Sequence, residues 1–154
     1  AGEKGRPIRV VNAGVSGDTT SGGLDRVSWL LEQKPDLLVV GLGVNDAFRG
    51  QPVDRIEANL RAIAARAKAA GVRVLLLGMR VPTNYGPDYT EAFAAIYPRV
   101  AKTEKVDLMP FLLDGVAGHP ELNFDDGIHP NQEGQRLVAT KVLVYVERAL
   151  KAKP

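Results

Sequence analysis

The sequence predicts an α/β fold in which helices cover both faces of a doubly wound parallel sheet. Short apolar segments that favour strands alternate along the chain with longer segments whose apolar residues recur at helical spacing. The strand segments are apolar almost throughout, which is typical of strands buried on both faces of a parallel sheet. Glycine and proline residues separate the segments, as expected for turns.

In the first half of the chain, residues 8–11 form a β-branched run that predicts a strand. A small, polar stretch follows and opens a helix that Thr20 or Ser21 can cap. Residues 37–40 are apolar throughout and predict a second strand, buried on both faces. The chain therefore begins with a strand, a helix and another strand.

The next helix has apolar residues at helical spacing from Ile56 to Ala67, and Gly71 closes it as a C′ glycine. A third strand is predicted at residues 72–79, and a long loop with three turn-forming residues follows it. The alternation of strand and helix thus continues into the middle of the chain.

A further helix is predicted from about Thr90, and Pro98 can bend it. Residues 106–109 predict a short fourth strand. After an irregular stretch, Asn131 is a suitable cap for a last amphipathic helix.

Composition limits the classes of function. The 154 residues, of which 45% are hydrophobic and 25% charged, match a single globular domain over residues 1–154. The net charge of +2, without a long run of one sign, argues against nucleic acid as a main partner. The chain lacks cysteine, which excludes thiolate metal sites and a cysteine nucleophile. No apolar run approaches the roughly 18 residues of a membrane span, so we expect no integral membrane contact.

Three loops that follow predicted strands carry unusual polar residues, at residues 16–18, 43–46 and 126–131. In doubly wound sheets the ligand site lies outside the carboxyl ends of the strands, so these loops should converge on one crevice. Asp126 precedes His129 by three residues, and a carboxylate at this spacing can orient an imidazole within one tight turn. The same spacing is also compatible with a plain turn and helix cap.

A metal site at Asp125, Asp126 and His129 is a further alternative, which ranks last. The one other histidine, His119, precedes Pro120 in a loop without a cluster of ligand-type residues. We therefore expect neither a metal nor another cofactor.

Three of these stretches together resemble conserved blocks of a known family. The stretches at residues 12–19, 41–46 and 126–131 are similar to blocks II, III and V of the SGNH (GDSL) hydrolases. The resemblance is to the bacterial arylesterase, thioesterase and lysophospholipase branch, and residues 80–86 and 93–98 also resemble that branch.

The resemblance implies a role for several residues. His129 would be the general base and Asp126 would orient its ring, while the Gly17 backbone N–H and the Asn45 side-chain amide would form an oxyanion hole. The substrate would be a small ester or acyl compound. The loops 47–51 and 81–87 would set specificity, and the residues that could line an acyl pocket are Phe48, Pro82 and Tyr85. The branch also implies a periplasmic or secreted protein.

The family's first block, which carries the nucleophilic serine, is missing from the sequence. The only serines are Ser16, Ser21 and Ser28, and none is a suitable nucleophile. Ser16 lacks the Gly-x-Ser-x-Gly spacing, whereas Ser21 is placed as a cap and Ser28 in mid-helix.

The resemblance implies a flavodoxin-like strand order of 2-1-3-4-5, in which residues 8–11 are the second strand and the first is absent. The gap beside it would separate two strands by roughly 10 Å, twice the spacing of paired strands. We therefore expect that the domain is N-terminally incomplete. A segment of the same protein, roughly 20 to 35 residues long, would supply the strand and the serine.

Two functions remain open from the sequence. The first is a serine ester hydrolase that works through an acyl-enzyme when the serine-bearing segment completes it, this chain alone being inactive. The second is a catalytically inactive module or fragment with the SGNH fold, which would keep the pocket for binding.

Overall fold

The computed structural model describes residues 7–151. Within them the sheet has three strands in the order β1-β2-β3, and both pairings are parallel. The strands are β1 (Leu37–Val40), β2 (Arg73–Leu77) and β3 (Asp107–Met109). Val39 lies opposite Leu75, and Leu76 lies opposite Leu108. The parallel α/β arrangement predicted from the sequence is confirmed.

Helices lie on both faces of this sheet, which gives three layers. The helices are α1 (Thr20–Glu32), α2 (Val44–Phe48), α3 (Val53–Ala69), α4 (Pro87–Glu104) and α5 (Gln132–Lys151), with single 3₁₀ turns at Thr83–Tyr85 and Pro120–Leu122. One core contains the strand residues Val40, Val74 and Leu76 together with buried residues of α1, α3 and α4. The other face, with Leu75 and Leu77, packs against α5.

The helix boundaries follow from local chemistry. Gly71 ends α3 with a φ of +75°, and its N–H donates to the carbonyl of Lys68. Helix α4 begins at Pro87, three residues before the predicted start, because proline suits the first helical position. It continues through Pro98 to Glu104. Asn131 caps α5 as predicted, since its Oδ1 accepts the Gly134 N–H at 3.0 Å.

The predicted strand at residues 8–11 is wrong for this structure. These residues form no strand, and the exposed fractions of Val10 and Val11 are 82% and 61%. A strand needs a neighbour to bond its backbone groups, and none of the strands among residues 7–151 pairs with this segment. The full order 2-1-3-4-5 is accordingly not formed by the described residues.

The prediction that residues 37–40 are buried on both faces is also wrong. Val39 is 40% exposed, whereas Leu75 opposite it is fully buried. The reason is position, because β1 pairs with β2 on one side only among the described residues and α5 covers mainly β2 and β3.

The cap of α1 differs from the prediction as well. The N-cap is Thr19, whose hydroxyl accepts the Gly22 N–H at 3.2 Å, rather than Thr20 or Ser21. Thr20 is fully buried and bonds Asp46 instead. No helix within residues 7–151 has the length and apolarity needed to span a membrane.

Candidate active site

Two of the three predicted loops meet at the end of β1. The side-chain amide of Asn45 donates to the backbone carbonyl of Asp18 at 3.1 Å, and Arg49 donates to the carbonyl of Gly17 at 3.1 Å. An amide NH2 has two protons, so the bond to Asp18 orients the group and leaves one proton for another acceptor. Gly17 and Asn45, which the family resemblance pairs, are therefore neighbours in the fold.

Glycines shape both loops. Gly17 has a φ of +74°, a conformation that other residues rarely adopt, and the space beside its Cα is open. Gly43, which precedes α2, has a φ of +124°. A Cβ at Gly43 would lie 2.2 Å from the hydroxyl oxygen of Tyr97, and that hydroxyl donates to the Leu42 carbonyl at 2.8 Å. Tyr97 thus supports the turn that presents Asn45.

The third loop holds Asp126 and His129 in direct contact. Nδ1 of His129 lies 2.6 Å from Oδ2 of Asp126. The other carboxylate oxygen, Oδ1, accepts the backbone N–H groups of Ile128 at 2.9 Å and His129 at 3.0 Å. Gly127 between them has a φ of +67°, which a tight turn of this kind requires. The His129 side chain is 72% exposed, so its remaining nitrogen is accessible.

These contacts lower the pKa of Asp126 from its usual 3.8 to about 2. The main cause is the hydrogen bond with the His129 ring, and the two backbone N–H groups add to it. A carboxyl with a depressed pKa stabilises the folded turn fully above its ordinary pKa, and this contribution is lost as the pH falls through about 2. The carboxylate therefore stays ionised throughout the pH range in which an imidazole can act as a base.

We expect an NMR titration of the Asp126 carboxyl carbon to give a midpoint near 2. In the His129→Ala variant the midpoint should rise toward 3.8, because the main hydrogen bond is lost. Equal midpoints in the two proteins would show that the ring contact does not hold the carboxylate in solution.

An open cleft of about 470 Å³ adjoins this turn, and it is lined by Phe48, Pro82, Asn84, Tyr85, Asp126, Gly127 and Ile128. The three residues proposed from the sequence as an acyl pocket are all in this set. The rings of Phe48 and Tyr85 are 6.0 Å apart and form one apolar wall. Gly17, Asn45 and His129 are not among the lining residues, and no hydrogen bond within the described range joins Gly17 or Asn45 to the Asp126–His129 pair.

The structure adds a buried group that the sequence interpretation did not include. Asp46 is 3% exposed, and its carboxylate accepts both the backbone N–H and the hydroxyl of Thr20. Asn59 of α3 donates to the same hydroxyl at 3.0 Å. The one sequence signal was a carboxylate directly after Asn45 at the end of an apolar strand.

The metal alternative gains no support from the geometry. Within residues 7–151, no three His, Cys, Asp or Glu side chains are grouped so that they could hold a metal ion. His119 pairs with Glu121 at 3.3 Å, in a contact that does not include Asp125 or His129.

Comparison with known proteins gives a consistent result. A sequence model described as "GDSL-like Lipase/Acylhydrolase family" matches residues 2–137. The chain is 50% identical over 129 residues to esterase TesA of Pseudomonas aeruginosa, covering 83% of this chain and 64% of that esterase. It is 44% identical over 138 residues to an arylesterase of Vibrio mimicus, covering 89% of this chain and 69% of the arylesterase.

The fold comparison agrees. A crystal structure of TesA superposes with a TM-score of 0.89 at 45% identity, over 94% of this chain and 81% of that one. In sequence, the chain spans just under two thirds of the length of the Pseudomonas aeruginosa esterase that it matches.

Proposed function

The chain belongs to the GDSL-like lipase/acylhydrolase family, and from this premise we propose that it is the greater part of a serine ester hydrolase that works through an acyl-enzyme. The observation that carries the proposal is the 2.6 Å contact between Asp126 Oδ2 and His129 Nδ1 beside an apolar cleft. Its substrates would be small esters, including aryl esters, thioesters or lysophospholipids, in keeping with the names of its relatives.

His129 is the proposed general base. Since Asp126 occupies Nδ1, the ring presents Nε2 to a serine hydroxyl and takes its proton as the serine oxygen attacks the acyl carbon. The imidazolium then returns that proton to the leaving group. Water, deprotonated by the same nitrogen, hydrolyses the acyl-enzyme and regenerates the serine.

Gly17 and Asn45 are the proposed oxyanion hole. The Gly17 backbone borders open space, and the second amide proton of Asn45 takes no part in the bond to Asp18. Neutral donors of this kind stabilise the negative charge that develops on the carbonyl oxygen in the transition state. The apolar wall of Phe48, Pro82 and Tyr85 would take the acyl or aryl part of the ester.

The nucleophile is proposed to lie on another segment of the same protein. Ser16, Ser21 and Ser28 are all exposed, Ser21 and Ser28 lie in α1, and none of the three bonds His129. Among residues 7–151 one edge of β1 is unpaired, and it is a suitable place for a strand that ends in the serine, because parallel strands in such folds deliver catalytic residues at their carboxyl ends. We refer to this proposed part of the protein as the serine-bearing segment, and to the protein that contains it as the complete protein.

A fluorophosphonate ester tests the proposal. We expect it to label the complete protein once, at a serine outside residues 1–154, and 4-nitrophenyl acetate hydrolysis to stop as labelling proceeds. Labelling at Ser16, Ser21 or Ser28 would contradict the assignment of the nucleophile. The absence of both labelling and hydrolysis would favour the alternative, an inactive binding module. The specific argument for that alternative is the missing nucleophile.

We also propose a periplasmic or secreted location for the complete protein, because the bacterial branch that it resembles implies export. Fractionation of the source cells, with the protein followed by antibody, tests this. Recovery in the cytoplasmic fraction alone would contradict it.

A further inference from the structure

The buried group beneath Asn45 has a geometry that fixes one loop against another. Asp46 follows Asn45 in α2, and Thr20 is the first residue of α1. Asp46 Oδ2 accepts the Thr20 backbone N–H at 2.9 Å, and Oδ1 accepts the Thr20 hydroxyl at 2.6 Å. The carboxylate therefore bonds both the backbone and the side chain of Thr20, the residue at which the facing loop enters α1.

Asn59 determines the direction of the hydroxyl bond. Its side-chain amide donates to Thr20 Oγ1 at 3.0 Å, so the oxygen is already an acceptor. A hydroxyl has a single proton, and this proton is then directed to Asp46. Helix α3, which carries Asn59, thereby joins the two loops through a hydrogen-bonded chain in which Asn59 donates to Thr20 and Thr20 donates to Asp46.

The two neighbouring residues of α2 together make a two-point clamp. Asn45 bonds the carbonyl of Asp18, and Asp46 bonds Thr20, two residues further along the loop. Asn45 and Arg49 bond the neighbouring carbonyls of Asp18 and Gly17, and the buried bonds of Asp46 to Thr20 add a second point that fixes the orientation of the loop. Gly17 directly precedes the clamped residues, so the clamp restrains the position of its N–H relative to the Asn45 amide.

Capping alone does not account for a buried carboxylate at this place. Helix α1 already has a side-chain cap in Thr19, which accepts the Gly22 N–H. Removing a carboxylate from water is costly unless several hydrogen bonds compensate it. Asp46 is 3% exposed, and its compensating bonds go to the loop that carries Gly17.

We propose that Asp46, Thr20 and Asn59 are positioning residues that set the spacing of the oxyanion hole between Gly17 and Asn45. The inference rests on the proposed ester hydrolase function. The three residues act through Gly17 and Asn45 and do not touch the substrate. Because the oxyanion hole works in the transition state, a change in its spacing should lower kcat and leave KM nearly unchanged.

The first test replaces Thr20 with valine in the complete protein, which keeps the shape and removes the hydroxyl. We expect kcat for 4-nitrophenyl acetate to fall about 10- to 100-fold with KM within about twofold, since small displacements of catalytic donors cost this much. Thr20→Ser, which keeps the hydroxyl, should restore most of the rate. Thr140→Val is the matched control, because Thr140 is exposed on α5 and bonds only its own helix at Arg136.

A double-mutant cycle separates positioning from a loss of stability. In an Asn45→Ala background Thr20→Val should lower kcat by clearly less than in the wild type, because one of the two donors whose spacing it sets is gone. A full additional loss in that background would overturn the proposal. If Thr20→Val does not fold, Asn59→Ala, which removes one donor to the hydroxyl, replaces it with the same expected pattern.

A second readout does not depend on catalysis. The side-chain amide proton of Asn45 that is bonded to Asp18 should have an NMR shift away from that of a solvated amide in the wild type. In Thr20→Val this shift should move toward that of a solvated amide, whereas in Thr140→Val it should not. Unchanged Asn45 signals in Thr20→Val would overturn the positioning role, and absence of hydrolysis in the wild type would overturn the proposed function alone.

Discussion

Replacing His129 with alanine in the complete protein should lower kcat/KM for 4-nitrophenyl acetate by at least about 10⁴-fold. The proposed serine would then have no base to take its proton, and Asp126 would have no ring to orient. Substrate binding in the cleft should persist, because His129 is not among its lining residues. Steady-state kinetics should therefore show the loss in kcat.

The chain contains a matched control for this experiment in its other histidine. His119 is exposed and pairs with Glu121, in the same type of carboxylate contact but away from the cleft. His119→Ala should change kcat/KM by less than about twofold, as expected of a surface substitution. A His129→Ala protein with more than a tenth of the wild-type rate would exclude this histidine as the base.

The geometry of the Asp126–His129 turn could be predicted from the sequence because it is local. Three residues separate the acid from the base, and a glycine between them permits the positive φ of the turn. The grouping of Gly17 with Asn45 depended on a rule of topology, that parallel strands bring the loops at their carboxyl ends together. Both sets of contacts are present in the structure.

The buried group at Asp46 could not be predicted in the same way. Its contacts join residues that are 26 and 39 positions apart, and no spacing rule selects them. The prediction of the α1 cap was wrong for the same reason. Thr19, Thr20 and Ser21 are all suitable caps by residue type, and the tertiary bond to Asp46 takes Thr20 out of that role.

The predicted strand at residues 8–11 is wrong because β propensity describes how well a side chain fits a sheet. It does not tell whether a neighbouring strand is present. Three of the four residues are β-branched, yet no strand in the described part of the chain pairs with them. Residues 37–40 also end in two valines and do form a strand, because β2 bonds them in register. The difference between the two segments is the neighbour.

The serine-bearing segment should pair with both residues 8–11 and residues 37–40, and it should restore the activity. Compared with residues 1–154 alone, the complete protein should show at least about 10³-fold higher kcat/KM, since a triad without its nucleophile keeps only the contribution of the oxyanion hole and binding. The backbone amides of residues 8–11 and 37–40 should exchange with solvent at least about 10²-fold more slowly, because a strand between these segments would bond both.

Hydrogen exchange followed by NMR distinguishes this specific pairing from general stabilisation. Strand β2 is already bonded on both sides, by β1 and β3, so the exchange rates of Val74 and Leu76 relative to global unfolding should not change. Val39, 40% exposed at the edge strand, should become protected together with its strand. Equal activity of the two proteins would contradict the assignment of the nucleophile to the serine-bearing segment. Slower exchange spread evenly over β1, β2 and β3 would contradict a missing strand between residues 8–11 and 37–40.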